Sequence, residues 1–229
     1  MNKSVSELEK DPIPGSTPPA GTRRMLLAAF AIVLALLVSF LFARYSAYRT
    51  VQAKFYGQPL VPAKEAFDFR LVDQNGKAFQ LSQLRGKVVL FAFGFTHCPN
   101  VCPTTLSDLA KVYRALPARD RARVQVLFVS VDPRRDKPET MKNYVPYFDD
   151  SFIGLTGTED QIAQAAKPYG AYYEIVHNAG ESPDGYSVNH SAFTYLISPD
   201  VKWKLLYNFD QLGDATKVVR DIEQVLNGA

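Results

Sequence analysis

The sequence is poor in the residues that most often carry chemistry. Its 229 residues include two cysteines, three histidines, three methionines and one tryptophan. Two cysteines are too few for a disulfide scaffold, so an ordinary hydrophobic core must hold the fold. An excess of one charge is missing too: 26 Lys and Arg against 23 Asp and Glu leave a formal net charge of +3. Residues 1–43 account for +1 and residues 44–229 for +2. That excludes the strongly basic patch or stripe of a nucleic-acid binder. Hydrophobic content of 47% and charged content of 21% are globular values. No internal repeat is present.

One long apolar run breaks the globular pattern. MLLAAFAIVLALLVSFLFA, residues 25–43, has no charge and a single polar residue, Ser39. At ~1.5 Å rise per residue, a run of this length crosses a ~30 Å hydrocarbon core. A cleaved signal peptide would have a shorter apolar region followed by small residues. Here Phe42, Arg44 and Tyr45 crowd the exit. The run therefore reads as an uncleaved membrane anchor. Lys10, Arg23 and Arg24 before it balance Arg44, Arg49 and Lys54 after it, so charge does not orient it. Residues 1–24 read as a Pro- and Gly-rich disordered tail. Residues 44–66 read as a juxtamembrane linker, and residues 67–229 as one domain.

Within that domain the pattern is regular. Asn75-Gly76, in QNGK, predicts a β-hairpin between FDFRLVD and KAFQLSQL. KVVLFAFGF (87–95) and VQVLFVSVD (124–132) are continuous apolar runs of strand length, predicting strands buried on both faces. Between them, Leu106, Leu109, Ala110, Tyr113 and Leu116 recur at helical spacing. KPETMKNYVPYF reads as a helix interrupted near Pro146. Thr158 is placed to cap a helix over EDQIAQAAKPYG. YYEIVHN reads as a strand, SAFTYLI and KWKLLYNF as a second hairpin, and DATKVVRDIEQVLNG as a terminal helix capped by Asp214. Strand–helix alternation with an antiparallel edge matches a thioredoxin-like α/β fold.

Both cysteines lie in FGFTHCPNVCP, residues 93–103, where the first buried strand ends. Sheets of this kind place their sites at such ends. Each cysteine precedes a proline, which predicts extended backbone at Cys98 and Cys102 and a helix with Pro103 as its first residue. The positive end of that helix favours thiolate over thiol. Two buried core cysteines would not need this placement. The spacing is C-x3-C, one residue longer than the usual thioredoxin pair, so redox chemistry and metal binding both remain open. A soft metal needs a third ligand. His97 reads as a local hydrogen-bonding residue, and His177 as structural or surface. His190 stands before a strand, where thioredoxins place a cis-proline against the cysteine turn. This chain has no proline between Pro183 and Pro199. Two thiolates and one imidazole suit copper, and structural zinc would want a fourth ligand.

FGFTHCPNVCPTTL, VSVDPRRD, GLTGT and VNHSAFTYLISPDV together resemble the Sco/SenC proteins, membrane-anchored copper proteins of thioredoxin-like fold. The resemblance runs from about Phe67 to the C-terminus. It implies that Cys98, Cys102 and His190 are copper ligands. It implies that Asp132 stands near them, although a loop cap after the strand explains Asp132 equally well. It implies delivery of copper to the binuclear copper site in subunit II of cytochrome c oxidase. The alternative is a thiol–disulfide oxidoreductase in which Cys98 and Cys102 are the redox pair and a cysteine-bearing extracytoplasmic protein is the partner. The strand–cysteine–helix context also admits a peroxiredoxin-like peroxidase. A copper-delivery domain acts outside the energy-conserving membrane, and the tail before Arg24 lacks the character of an organelle transit peptide. The expected location is therefore a bacterial inner membrane, with the domain in the periplasm.

Two residues depart from the family's pattern. Asn100 and Asn189 stand where an aspartate is common. Losing those charges should alter copper affinity or redox potential. Asn100→Asp and Asn189→Asp are expected to shift at least one of the two. Copper titration and potentiometry that detect neither shift would refute this.

Overall fold

The computed structural model describes residues 20–177 and 185–228. The chain divides into two units, residues 1–48 and residues 49–229. Helix α1 (Ala20–Lys54) carries the apolar run, which lies in the first unit. Its stretch from Arg24 to Thr50 is long and apolar enough to cross a membrane, and none of it is buried by protein.

The second unit is an α/β domain around one mixed sheet. Its strands are β1 (Gln58–Glu65), β2 (Arg70–Asp73), β3 (Ala78–Gln80), β4 (Val88–Gly94), β5 (Val124–Ser130), β6 (Ile153–Thr156), β9 (Thr194–Ile197) and β10 (Lys202–Tyr207). They lie in the order β1-β10-β9-β4-β5-β6-β2-β3. β4, β5 and β6 are parallel, and the flanking pairs are antiparallel. Strands β7 (Tyr173–Val176) and β8 (Ser187–His190) form a separate two-stranded ribbon. The helices are α2 (Val101–Ala115), α3 (Ala118–Arg121), α4 (Pro138–Tyr144), α5 (Glu159–Ala166) and α6 (Ala215–Leu226).

The expected elements form for the expected reasons. Every residue of β4 is buried, as a central strand requires. Gly76, at φ +76°, turns the β2–β3 hairpin. Thr158 and Gln161 make a reciprocal capping box on α5, and the Asp214 carboxylate accepts from Lys217 N–H on α6. Phe91 stacks on Tyr195 at 4.9 Å, and Tyr169 and Trp203 pack around them. Each fully buried side chain of this kind contributes about 1.5–3 kcal/mol.

Residues 58–65 correct the expected linker. They form β1, an edge strand paired with β10 from Gln58↔Leu206 to Glu65↔Lys202. Pro59 and Pro62 and a shift of register between Pro59 and Lys64 remove the alternation that would have marked a strand. Its start is fixed by Asp221 on α6. This buried carboxylate accepts from Tyr56 N–H (3.0 Å), Gly57 N–H (2.8 Å) and Tyr207 O–H (3.0 Å). Gly57 is required there, because a Cβ would meet the Tyr207 ring at 2.6 Å.

Asp221→Ala would strand three donors, each unpaired buried donor costing about 1–3 kcal/mol. We expect a loss of about 3 kcal/mol or more in urea unfolding, and a smaller loss for Asp221→Asn, which keeps one acceptor. Equal stability of Asp221→Ala and the parent would contradict this role.

Candidate metal centre

The site forms where β4 and β5 end together. Gly94 and Ser130 are in register, and Val131 N–H donates to Gly94 O at 2.8 Å. Beyond Gly94 the chain turns through Thr96 and His97 to Cys98, then enters α2. A second turn leaves Ser130 and runs through Asp132 to Asp136.

The expected backbone is corrected at one point. Helix α2 begins at Val101 with Asn100 as its cap, so Cys102 lies inside the first turn and Pro103 is the third helical residue. Thr104 N–H makes the first full helical bond, to Asn100 O at 3.1 Å. The N–H that Pro103 lacks is still among those a helix leaves unbonded, so the proline costs nothing there. The bias against helix before proline yields to this geometry.

Cys102 is 2% exposed, and Cys98 is half-buried. Cys102 Sγ packs against the bare backbone of Gly94, where a Cβ would approach it to 2.7 Å. Phe95 N–H points at Cys102 Sγ (3.5 Å), and Cys102 N–H points at Cys98 Sγ (3.4 Å). His190, the last residue of β8, brings Nε2 to 3.3 Å from Cys102 Sγ. Its Nδ1 lies 3.1 Å from Ser191 O. A carbonyl oxygen only accepts, so Nδ1 carries a proton, and in the neutral imidazole Nε2 presents its lone pair toward Cys102 Sγ. Cys98 Sγ, Cys102 Sγ and a His190 ring nitrogen all lie within 4.8 Å of one another. A cavity of ≈ 10 Å³ behind Cys102 and His190, walled by Phe93, Phe128 and Phe193, has room for one water at most.

The two thiols differ sharply. A hydrogen bond from the Cys102 thiol, aided by the backbone N–H groups of Asn100 and Cys102, lowers Cys98 to about 3 against the opposing effect of partial burial. The same hydrogen bond and deep burial push Cys102 well above the ordinary thiol range. The pair therefore releases one proton readily and keeps the other. The retained proton sits where a thiolate and an imidazole lone pair converge on Cys102 Sγ. A soft cation that replaces it meets two sulfurs and one nitrogen, the donor set that suits copper.

The other candidates fall elsewhere. His177 is exposed at the end of β7, away from the cluster. His97 is exposed, and its Nδ1 lies 3.0 Å from Thr96 Oγ1, a local hydrogen bond as expected. Asp132 is fully buried and bonds to Arg135 Nε (2.5 Å) and Tyr186 O–H (2.9 Å). Sequence reasoning missed Asp136. This buried carboxylate accepts from Thr96 N–H (2.9 Å), Thr96 O–H (2.6 Å) and Ser130 O–H (2.6 Å), holding the cysteine turn to the end of β5. Burial raises its pKa, and the Ser130 and Thr96 bonds oppose that rise. Its signal was the second aspartate of VSVDPRRD. Asn189 is exposed and pairs across the ribbon with Glu174.

A thioredoxin-like sheet that brings two thiols and an imidazole to one point defines a class: a thioredoxin-like dithiol protein with a built-in third donor. Within it, the chain belongs to the SCO1/SenC family, whose family model matches residues 58–227. It is 39% identical over 138 residues to a SCO2-like protein of Rickettsia conorii, covering 59% of this chain and 65% of that one. Matches to the curated relatives in yeast, human and Rickettsia span 50–65% of their length. Apo Sco1 of Thermus thermophilus is 41% identical with a TM-score of 0.68, over 75% of this chain and 96% of that one. Bradyrhizobium japonicum ScoI, solved with copper bound, is 36% identical with a TM-score of 0.61, over 74% and 98%.

The acidity of Cys98 is directly measurable. Iodoacetamide should label Cys98 before Cys102, and its rate should change less than about twofold between about pH 5 and pH 8. An unperturbed thiol would speed up several hundredfold, by about the rise in its thiolate fraction. A rise of that size would show that Cys98 is not held as thiolate.

Proposed function

We propose that this protein carries copper on Cys98, Cys102 and His190, and delivers it to the binuclear copper site in subunit II of cytochrome c oxidase. The observation that carries this reading is the convergence of the three donor atoms, with His190 Nε2 3.3 Å from Cys102 Sγ. Copper is the cargo. Cys98, the more exposed sulfur, is the donor an acceptor reaches first, and buried Cys102 and His190 hold the ion until exchange is complete. Residues 25–43 anchor the protein in a bacterial inner membrane, with residues 67–229 and the edge strand β1 in the periplasm. The apolar helix and the family resemblance support that placement.

A second reading rests on the contrast between the thiols. Cys98 is accessible and acidic, and Cys102 is buried beside it. Cys98 thiolate would attack a partner's disulfide and form a mixed disulfide, releasing the partner's first thiolate. Cys102 would then displace the second, passing two electrons to the partner and leaving a Cys98–Cys102 disulfide.

His190→Ala separates the two. Under copper delivery, Cu(I) affinity measured against a competing chelator falls by more than about tenfold, as expected for loss of a metal-site interaction. Reduction of a disulfide substrate changes little, whereas Cys98→Ser abolishes both. Unchanged copper affinity in His190→Ala would overturn the copper reading. Reduction that survives Cys98→Ser would overturn the second.

A further inference from the structure

His190 does not ride on the main sheet. It ends β8, which pairs only with β7 among the described residues. Something must fix that ribbon against the cysteine turn, because a displacement of about 1 Å is enough to spoil a metal site.

The fixture is a buried ion pair. Arg135 donates to the Asp132 carboxylate through Nε at 2.5 Å, and its side chain is 10% exposed. The guanidinium lies 3.9 Å from the Tyr186 ring centroid and 5.8 Å from that of Phe95. It also donates to Tyr186 O at 3.4 Å, while the Tyr186 hydroxyl donates to Asp132 Oδ1 at 2.9 Å. Tyr186 immediately precedes β8. Phe95 touches both halves of the site: its N–H points at Cys102 Sγ, and its ring meets the His190 ring edge-to-face at 5.7 Å. One guanidinium thus has the base of the histidine arm on one side and the residue that begins the cysteine turn on the other.

We infer that Asp132, Arg135 and Tyr186 are positioning residues that set where His190 stands relative to the two sulfurs. The ionic clamp keeps the imidazole within reach of copper. When the clamp is loosened, the cysteine pair remains but its third donor is lost. This gives Asp132 a role that is neither metal contact nor loop cap: it orients the arginine that orients the arm. The inference rests on the copper reading above for its consequence, although not for its geometry.

Two measurements test it. In the metal-free protein, Arg135→Met should make the β7–β8 amides exchange at least tenfold faster, with β4 amides unchanged; Tyr186→Phe, which removes one hydroxyl, should do the same more weakly. Equal protection of the ribbon in Arg135→Met would overturn the clamp whether or not copper binds. With Cu(I), Arg135→Met should lower affinity at least tenfold, and the double variant Arg135→Met, His190→Ala should bind no more weakly than His190→Ala alone. Additive losses would show that Arg135 acts through the cysteine turn or the fold, which also overturns the inference. Unaltered affinity in His190→Ala itself would instead sink the copper reading, and the exchange result would still decide the clamp.

Discussion

The site depends on one buried carboxylate. Asp136 has His97 Nδ1 3.8 Å away, on an exposed ring and beyond hydrogen-bond distance. It is held by hydrogen bonds instead, from the backbone and hydroxyl of Thr96 and from the hydroxyl of Ser130. Such a group is costly unless its acceptors are filled, and once filled it is rigid. Its position welds the turn after β4 to the end of β5. The parallel pairing of those strands supplies the platform, and Asp136 turns the platform into a fixed approach to Cys98. Thr156 O–H, donating to Asp136 O at 2.7 Å, extends the same tie to β6.

On that platform the electrostatics of two sulfurs follow from distance. Two unit negative charges about 4 Å apart repel by about 4 kcal/mol at an effective dielectric near 20. That is about three pKa units, at about 1.4 kcal/mol per unit. The first thiolate is therefore inexpensive, stabilised by the neighbouring thiol and by N–H groups at the start of α2, and the second is not. Only a cation between them, or a covalent bond, releases the last proton under mild conditions. Both proposed chemistries are answers to this same constraint. The copper reading fills the point with a cation; the reductant reading removes the charges by forming a disulfide. His190 favours the first, because a ring nitrogen 3.3 Å from Cys102 Sγ adds a donor to a metal site and makes no bond to a disulfide.

Sequence legibility followed the range of the interactions. Asn75-Gly76, Thr158 and Asp214 act within a few residues of themselves, and their turns and caps were readable. The apolar runs of β4 and β5 were readable because burial on both faces leaves no alternation to misread. The third donor, 88 residues from Cys102, was legible through the fold that the strand order implied and through the missing proline before β9. β1 was not, since an edge strand with two prolines has little periodic burial. Helix α2 starts two residues before the position that the bias before proline implies, because Asn100 caps it. Asp136 was hidden for a different reason. Its partners, Thr96 and Ser130, are unremarkable alone, and only the β4–β5 register brings them together.

The two amides at the rim now have a physical setting. Asn189 faces Glu174 across the β7–β8 ribbon. An aspartate there would oppose a like charge directly, a pairing that destabilises a two-stranded ribbon. The ribbon carries His190, so strain at position 189 would be felt at its imidazole. Asn100 caps α2 with its backbone carbonyl, and its side-chain oxygen lies 3.5 Å from Thr104 Oγ1. A carboxylate at that position would suit the helix end, yet it would stand two residues from each sulfur, where negative charge already limits ionisation. Neutral amides at both positions leave the charge balance to the thiolates, Asp136 and the self-compensated Asp132–Arg135 pair. In this chain, the carboxylates lie in the buried supports of the site and its rim is left uncharged at these two positions.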